Sequence, residues 1–394
     1  MRIRSLILLA SLVPTLSACA AIHRPKTTLP ELTADAVVSG RAEQATRDSV
    51  IERLVRRAVA RGDGTLDVLM LSGGGQNGAF GAGFLRGWRA RADSPMPLFD
   101  LITGISTGAL QAPYALLGTE SALDTLTVLY RDAPDRVAPT IDWWFWLRRT
   151  GGVVNTKRYD RALEQSINGK FRDELRAAFA ADRQIVFGTT DYDLGVGRTW
   201  SLTDVLDTTA ASLGRTRTLL KAATSIPGIF PPVVIDGHVH GDGGVITNVL
   251  PLLTFGDYQR LAAALQQRGL RDVTVRLYVV MNLWSHAEPR IISPSSRKQI
   301  SSRTNFMLFY AHQPQTLELL DALARAVSAG VSGLKMEFRV ATIPSSESTV
   351  PGAAKLFDRG FISRLDSLGF AKARGAAPWD AVPSAYNRTT PVAR

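Results

Sequence analysis

The chain has 394 residues, 45% of them hydrophobic and 21% charged, and its mean hydropathy is +0.03. This composition agrees with a globular protein, and nothing beyond the first residues approaches the length of a membrane-spanning segment. The formal net charge of +11 would attract anionic membrane surfaces and nucleic acids. However, the sequence has no zinc-ligand spacing, RNP-like motif or helix-turn-helix pattern, so we expect no nucleic-acid partner.

The N-terminus has the pattern of a secretory leader. A short basic region precedes an apolar run over residues 6–13, which is too short to span a membrane. The following Leu16-Ser17-Ala18-Cys19 resembles the lipobox of bacterial lipoproteins, and Cys19 is the only cysteine of the chain. The resemblance implies a signal peptide over residues 1–18, acylation of Cys19 and a protein anchored by lipid in the bacterial cell envelope. Ala20 favours the outer membrane, whereas cleavage at a nearby Ala-x-Ala site would predict an unanchored periplasmic protein.

Two further segments precede the motifs. Residues 19–42 are polar and contain Pro25 and Pro30, which predicts a tether between the membrane and the folded domain. Residues 43–61 place apolar side chains on one stripe of a helix, and we expect this stripe to face the core. No internal repeat or clean linker follows. We therefore expect one domain over residues 43–394, with its motifs in residues 65–255 and a C-terminal extension over residues 256–394.

A glycine-rich loop follows the first strand candidate. Residues 66–71 are apolar and strand-like, Gly73, Gly74 and Gly75 come next, and helical spacing resumes over residues 79–91. Bare glycine amides let an anion approach the backbone, so the loop suits an oxyanion or a phosphate, with a flexible turn as the simplest alternative. Neither GxGxxG with a ribose-binding acid nor GxxxxGK[ST] is present, which disfavours a nucleotide.

A serine lies in the next strand-to-helix turn. Gly104-Ile105-Ser106-Thr107-Gly108 follows a strand predicted over residues 98–103 and begins a helix predicted over residues 107–117. A nucleophilic serine requires such a sharp turn, and Gly104 and Gly108 let the strand and the helix approach closely. The helix N-terminus also favours negative charge at Ser106. This nucleophile motif favours the oxyanion interpretation of the glycine loop.

A serine nucleophile needs a base. Five histidines occur in the chain: His23, His238, His240, His286 and His312. His23 lies close to the leader, and we expect His238 and His240 on one face of a strand in a surface hairpin. His312 is expected in a loop or a helix turn. Asp242 has a glycine on each side, which suits a tight loop, and by itself Asp-Gly is a frequent β-turn pair.

Taken together, the motifs resemble those of the patatin-like phospholipase family. The family pattern pairs a Gly-Gly-Gly-x-Arg/Lys-Gly loop with GxSxG and a later Asp-Gly-Gly/Ala, and these occur in order at residues 73–78, 104–108 and 242–244. Residues 222–233, Asn248 and Pro251 resemble the family's segments around its catalytic Asp. The likeness covers residues 65–255. Asn77 departs from the pattern, which usually has Arg or Lys at that position.

The resemblance implies a Ser–Asp dyad in which Asp242 takes the Ser106 proton directly. It also implies an oxyanion hole formed by backbone N–H groups of Gly73, Gly74 and Gly75. The implied fold is a three-layer α/β/α arrangement with a mainly parallel central sheet. Neither a metal ion nor an organic cofactor is implied.

The remaining pattern independently predicts an α/β fold, because strand and helix candidates alternate. The strand candidates are residues 184–189, 199–202, 233–236, 273–281 and 335–343. The helix candidates are residues 159–167, 173–181, 316–327 and 357–370. Residues 285–304 are rich in Ser, Pro and Arg, which predicts a loop.

Residues 142–149 form the most unusual apolar segment, Asp-Trp-Trp-Phe-Trp-Leu-Arg-Arg. We favour aromatic packing in the core for Trp143 to Trp146. A membrane-interface segment, with arginines that meet phosphate, and a lid over an acyl-binding groove are the alternatives.

The functional hypothesis is a lipid-anchored acyl hydrolase that cleaves lipid esters through an acyl-enzyme, with membrane phospholipids or lysophospholipids as leading substrates. One alternative is a catalytically silent envelope lipoprotein that binds lipid or a partner. Another is a Ser-His-Asp esterase that uses His238 or His240 as the base.

Overall fold

The structure is a computed structural model that describes residues 22, 24–145, 150–284, 286–384 and 386. The predicted signal peptide, Cys19, His23 and the second half of the tryptophan-rich segment lie outside these residues. No helix among the described residues is both long enough and apolar enough to cross a bilayer.

The strands are β1 (Thr65–Leu71), β2 (Leu101–Ile105), β3 (Thr140–Ile141), β4 (Val154–Asn155), β5 (Gln184–Asp191), β6 (Val196–Ser201), β7 (Val233–Ile235), β8 (His238–Asp242), β9 (Val273–Trp284) and β10 (Leu334–Ile343). The helices are α1 (Leu29–Arg61), α2 (Gly78–Arg89), α3 (Thr107–Leu117), α4 (Glu120–Arg136), α5 (Lys157–Ser166), α6 (Gly169–Ala180), α7 (Leu202–Val205), α8 (Ala210–Ala223), α9 (Phe255–Gln267), α10 (Arg297–Gly330) and α11 (Arg359–Arg374).

The central sheet of the described chain has the strand order β10-β9-β1-β2-β5-β8-β7, with β6 also paired to β5. The contacts from β10 through β9, β1 and β2 to β5 are parallel, whereas β6, β8 and β7 are antiparallel to their neighbours. Long parallel connections place helices on the faces of a sheet, which explains why its central strands are buried on both sides. The predicted α/β fold with a mainly parallel sheet is confirmed.

Helices cover both faces of the sheet. Successive side chains of each strand point to opposite faces, so each strand contributes to the core on both sides. On β1, Leu69 and Leu71 join a core cluster with α2, α3, α4, α6, α8 and α11. Val68 and Met70 of the same strand join a second cluster with α1, α9 and α10. The result is three layers with one buried core on each side of the sheet.

Helix α1 begins at Leu29, so residues 29–42 of the predicted tether are helical. A capping box starts the helix: the Thr28 side chain accepts from the Glu31 N–H, and the Glu31 carboxylate accepts from the Thr28 N–H. The segment also contacts the body of the protein, because Asp35 bonds His238 at 3.2 Å. These contacts make the polar segment part of the fold. The loop expected over residues 285–304 is wrong for its last part, because α10 already begins at Arg297.

The described part of the tryptophan-rich segment does not pack in the core, which differs from the favoured prediction. Trp143 is 78% exposed and Trp144 is 57% exposed. They follow β3, which pairs with β4 in a two-stranded antiparallel hairpin outside the central sheet. A hairpin of two short strands has no second layer in which to bury large side chains.

Candidate active site

Ser106 lies between the end of β2 and the first residue of α3, with φ 52° and ψ −121°. Positive φ is rare for a residue with a side chain, and it persists where the surrounding structure imposes it. Such a turn lifts the hydroxyl out of the strand and places it at the positive end of the helix dipole. The predicted nucleophile turn is therefore present in its geometry.

The two glycines of this turn are required by close backbone contacts. A Cβ atom at Gly104 would lie 2.6 Å from the carbonyl oxygen of Gly108, and one at Gly108 would lie 2.1 Å from that of Leu71. Both contacts are with backbone, which cannot move aside as a side chain can. Helix α3 can thus approach β1 and β2 only because these positions have no side chain.

Strand β5 brings the serine and the predicted carboxylate together. Ile105, the residue before Ser106, pairs with Gly188, and Asp242 pairs with the next residue, Thr189. Because β6 occupies the opposite edge of β5 at Thr189, β8 must continue on the edge where β2 ends. Strands β2 and β8, which are far apart in sequence, therefore end at neighbouring residues of β5, and this places Ser106 next to Asp242.

The Ser106 Oγ donates a hydrogen bond to Asp242 Oδ2 at 2.6 Å. The other carboxylate oxygen, Oδ1, accepts from the Gly244 N–H at 2.8 Å. The main chain of Asp242 is held as well, since its N–H donates to the Ser225 carbonyl at 3.0 Å and its carbonyl accepts from the Thr190 hydroxyl at 2.8 Å. These contacts hold the Asp242 main chain and its second carboxylate oxygen, so that Oδ2 is directed at Ser106.

Burial raises the pKa of Asp242 to about 6, although the hydrogen bonds from Ser106 and Gly244 lower it. Asp242 is only 5% exposed, so its ionised form has lost most of its hydration. The raised pKa makes the carboxylate a better proton acceptor than a solvated one, and it is ionised above about pH 6. A general base at this position is chemically suited to neutral pH.

The glycine loop lies directly against the serine, because a Cβ at Gly73 would be 3.2 Å from the Cβ of Ser106. The Gly73 N–H donates to the Asn248 carbonyl at 3.0 Å, so this amide is already used and the expectation that it helps to form an oxyanion hole does not fit. Among the described residues, no acceptor is bonded to the N–H of Gly74 or Gly75. Gly75 has φ +57° and open space beside it. These two amides fit the role of oxyanion donors better.

A buried polar network supports the loop, and sequence reasoning missed it. Asn282 at the end of β9 donates from its backbone to the Ser72 hydroxyl at 2.7 Å and from its side chain to the Ser72 carbonyl at 2.9 Å. Its Oδ1 accepts from the Gly81 N–H, and its Nδ2 also donates to Gln111. The loop, α2 and α3 are thereby joined through one side chain. No motif indicates Asn282, because its partners lie about 170 to 210 residues away.

Asn77 and Asn248 also lie at the glycine loop. Asn77 is buried, and its backbone N–H donates to the Gly74 carbonyl, which closes the turn before α2. The Oδ1 atom of Asn248 would lie 2.8 Å from a Cβ at Gly73 and 2.9 Å from one at Gly244. Asn248 therefore fills the space between the glycine loop and the loop after Asp242, where only glycine fits on either side.

None of the four described histidines is hydrogen-bonded to Ser106. His238 and His240 lie on β8 of a hairpin, but they are buried rather than on the surface, because β8 also pairs with β5. His240 contacts the Thr189 hydroxyl at 3.1 Å, and burial lowers its pKa to about 4. His286 contacts the Ser384 carbonyl, and His312 lies within α10.

His238 takes part in an ion-pair network instead. Burial lowers its pKa, but hydrogen bonds to Asp35 and Asp191 outweigh burial and raise the pKa above the usual value. Asp191, Asp193 and His238 are close enough together to hold a metal ion. However, Asp193 pairs with Arg24 at 2.5 Å and Asp191 lies 3.8 Å from Arg198, so cationic side chains already balance these carboxylates.

An apolar cavity of about 130 Å³ opens beside Ser106, between α3, α4, α5 and the segment before β7. Four hydroxyl groups in its wall are paired with each other: Thr107 with Tyr130, and Tyr159 with Thr224. The remaining lining is mostly aliphatic and aromatic, so the cavity offers little to a polar group. A hydrocarbon chain is the ligand that fits such a lining.

The C-terminal extension closes one side of this cavity with Leu356 and Phe357. Gln76 of the glycine loop holds that segment, since its amide donates to the carbonyls of Gly352 and Lys355 and its oxygen accepts from the Asp358 N–H. The extension is thus part of the site, which sequence motifs did not indicate.

A strained serine at a strand-to-helix turn, a carboxylate bonded to it and an apolar cavity beside both form the arrangement of a serine acyl hydrolase. Residues 69–255 match the family model of patatin-like phospholipases, so this part of the chain is a patatin-like phospholipase domain.

Among solved structures, VipD from Legionella pneumophila is similar at 13% identity, with a TM-score of 0.34. The match covers 78% of this chain and 66% of the VipD chain, slightly under two thirds of its length. No curated protein sequence matches this chain.

Proposed function

We propose that the protein hydrolyses carboxylic esters of membrane lipids, with Ser106 as the nucleophile and Asp242 as the general base. Ser106 Oγ attacks the ester carbonyl carbon while its proton passes to the Asp242 carboxylate. The carbonyl electrons move to oxygen, and the N–H groups of Gly74 and Gly75 stabilise the resulting oxyanion. The tetrahedral intermediate then expels the alcohol, which takes the proton from Asp242.

Water completes the reaction by the same route. Asp242 removes a proton from a water molecule that attacks the acyl-enzyme, and a second oxyanion forms in the same place. Its collapse releases the fatty acid, and the proton returns to Ser106 Oγ. No step requires a metal ion or an organic cofactor.

The observation that carries this proposal is the 2.6 Å hydrogen bond between Ser106 and Asp242 at the wall of an apolar cavity. The cavity suits an acyl chain, and the net charge of +11 suits anionic headgroups, so phospholipids and lysophospholipids are the leading substrates. Neutral lipid esters and thioesters could use the same groups.

The Ser-His-Asp alternative has little support, because the hydrogen bonds of His238 and His240 lead to Asp35, Asp191 and Thr189 rather than to Ser106. A silent lipid-binding protein would have no chemical need for a buried carboxylate bonded to a strained serine.

Covalent labelling tests the proposed nucleophile. We expect a fluorophosphonate probe to label the wild-type protein at Ser106 and to leave Ser106→Ala unlabelled, because only an activated serine reacts with it. Ser367→Ala, which removes an exposed serine on α11, is the matched control and should label like wild type. Intact-protein mass spectrometry gives the readout, and equal labelling of Ser106→Ala would overturn the assignment.

We also propose that Cys19 anchors the protein in the bacterial envelope, most simply in the outer membrane. The support is the leader with Leu16-Ser17-Ala18-Cys19 and the absence of any other cysteine from the sequence. Cells that express the protein are expected to incorporate a labelled fatty acid into it, and Cys19→Ser should abolish this incorporation. Membrane fractionation shows where the protein accumulates. A Cys19→Ser protein that still carries the labelled fatty acid would contradict the proposal.

A further inference from the structure

An exposed aromatic cluster lies beside the acyl cavity. Its members are the last residue of β3 and three residues that follow the strand, and their exposed fractions are 59% for Ile141, 78% for Trp143, 57% for Trp144 and 41% for Phe145. Single exposed apolar side chains are ordinary, but four within five residues form a patch that marks an interaction surface. We call these four residues the aromatic tip.

The aromatic tip is fixed to the wall of the cavity. The hairpin that carries it bonds the segment before β7, where the Val153 N–H donates to the Ile229 carbonyl at 2.9 Å. A Cβ at Gly152 would lie 2.4 Å from the Pro231 nitrogen, so the two backbones are in close contact. Ile226 and Phe230 of that same segment line the cavity. The aromatic tip and the cavity therefore share one structural element.

Cationic side chains adjoin the hairpin. Arg158 and Arg161 lie in the first turns of α5, which directly follows β4, and they meet Arg136 around a depression at the end of α4. The nearby carboxylates of Asp135 and Asp160 are paired with Arg359 and Lys221. Within the described part of the chain, no carboxylate pairs with Arg158 or Arg161. Two positive charges at this surface are therefore available to an external anion.

We propose that the aromatic tip and these arginines dock the protein on an anionic lipid bilayer. Tryptophan prefers the headgroup level of a membrane, where its ring is apolar and its N–H is hydrated, and guanidinium groups bind lipid phosphates. An acyl hydrolase gains from this contact because the cavity mouth then lies close to its substrate. This gain rests on the proposed function, whereas the docking itself does not.

Vesicle binding tests the docking apart from catalysis and from the proposed anchor. The full chain carries Cys19→Ser, which removes the acylation site, and Ser106→Ala, which prevents turnover. It is sedimented with vesicles of phosphatidylcholine alone or mixed equally with phosphatidylglycerol. We expect the parent to bind the mixed vesicles more tightly. A failure of Ser106 labelling would leave this result unaffected, so the two proposals can fail separately.

Two pairs of substitutions separate the apolar and charged contributions. Trp143→Ser with Trp144→Ser is expected to weaken binding to both kinds of vesicle by about tenfold, because two large apolar side chains no longer insert. Arg158→Gln with Arg161→Gln is expected to weaken binding to the anionic vesicles by about fivefold for each arginine, with little change on phosphatidylcholine alone. The matched control is Met307→Ser with Leu308→Ser, which removes side chains of similar exposure (50% and 61%) from α10 and should bind like the parent.

A second measurement needs no variant of the hairpin. Vesicles with brominated acyl chains should quench part of the tryptophan fluorescence of the folded parent, because Trp143 and Trp144 lie in the headgroup region. Absence of quenching overturns the proposal even if the tryptophan variant fails to fold. Equal vesicle binding by the parent and both substituted pairs overturns it too, and this outcome would point to a protein partner for the surface. A control pair that loses as much binding as the tryptophan pair likewise overturns the assignment.

Discussion

Asp242→Asn is expected to lower kcat by roughly 10⁴-fold, because an amide cannot accept the Ser106 proton during the attack on the ester. The substitution preserves the shape of the side chain, and its oxygen can still accept from the Gly244 N–H. KM should change little, since Asp242 lies beyond the acyl cavity. His238→Gln is the control for the Ser-His-Asp alternative, and its kcat should stay close to the wild-type value.

The pH dependence provides a second readout of the same residue. The wild-type kcat/KM should rise as the pH passes through about 6, where the carboxyl of Asp242 ionises, and reach a plateau above pH 7. The small residual activity of Asp242→Asn should lack this step. A hydrolysis rate of Asp242→Asn within tenfold of wild type would contradict the assignment of the base.

The same substitution should stabilise the fold at alkaline pH. Since the pKa of Asp242 is higher in the folded than in the unfolded chain, its protonated form favours folding below about pH 4, and this contribution is lost as the pH rises through about 6. Above that pH the buried charge costs about 3 kcal/mol relative to acid conditions. We therefore expect Asp242→Asn to melt at a higher temperature than wild type at pH 8 and at a similar temperature at pH 4. Scanning calorimetry of both proteins at pH 8 and at pH 4 measures these melting temperatures.

Gly74→Ala is expected to lower kcat by about 10² to 10³-fold, the effect of losing an oxyanion donor. A Cβ at this position would lie 2.0 Å from the carbonyl oxygen of Asn282, which belongs to the backbone of β9. Because the strand cannot move aside, the loop must shift, and its amides then no longer point at the developing charge. Steady-state kinetics on a soluble ester measures the effect, with thermal melting to report any loss of stability.

Gly214→Ala is the matched control for this substitution. Gly214 lies within α8, a Cβ there would meet nothing within 4 Å, and alanine favours a helix. Its kcat should equal that of wild type, and its melting temperature should rise slightly. An unchanged kcat in Gly74→Ala would show that the glycine loop has no part in stabilising the oxyanion.

Much of the fold around the site can be predicted from local patterns. The helix expected over residues 107–117 is α3 with the same bounds, and the strand expected over residues 66–71 is β1 with one added residue. Both elements are short apolar runs bounded by glycines, and such signals depend on the segment itself. The predicted positions of Ser106 and Asp242 rest on motifs, which also act over a few residues.

In other segments long-range contacts outweigh local composition. Residues 29–42 are polar, but a capping box and the contact of Asp35 with His238 make them part of a helix on the body of the protein. His238 and His240 alternate with Val239 as in an exposed hairpin, yet pairing with β5 buries them. Nothing within these segments indicates the partner that determines their environment.

The amino-acid sequence alone determined the class of fold, the sharp turn at Ser106 and the glycines that the turn requires, because each depends on the conformational preferences of a few neighbouring residues. The tertiary structure decided that Asp242 bonds Ser106, that the Gly73 amide is occupied by Asn248, and that Phe357 of the C-terminal extension closes the cavity. These contacts join residues 100 or more positions apart, and only the pairing of β2 and β8 along one edge of β5, together with the packing of the layers, brings them within reach.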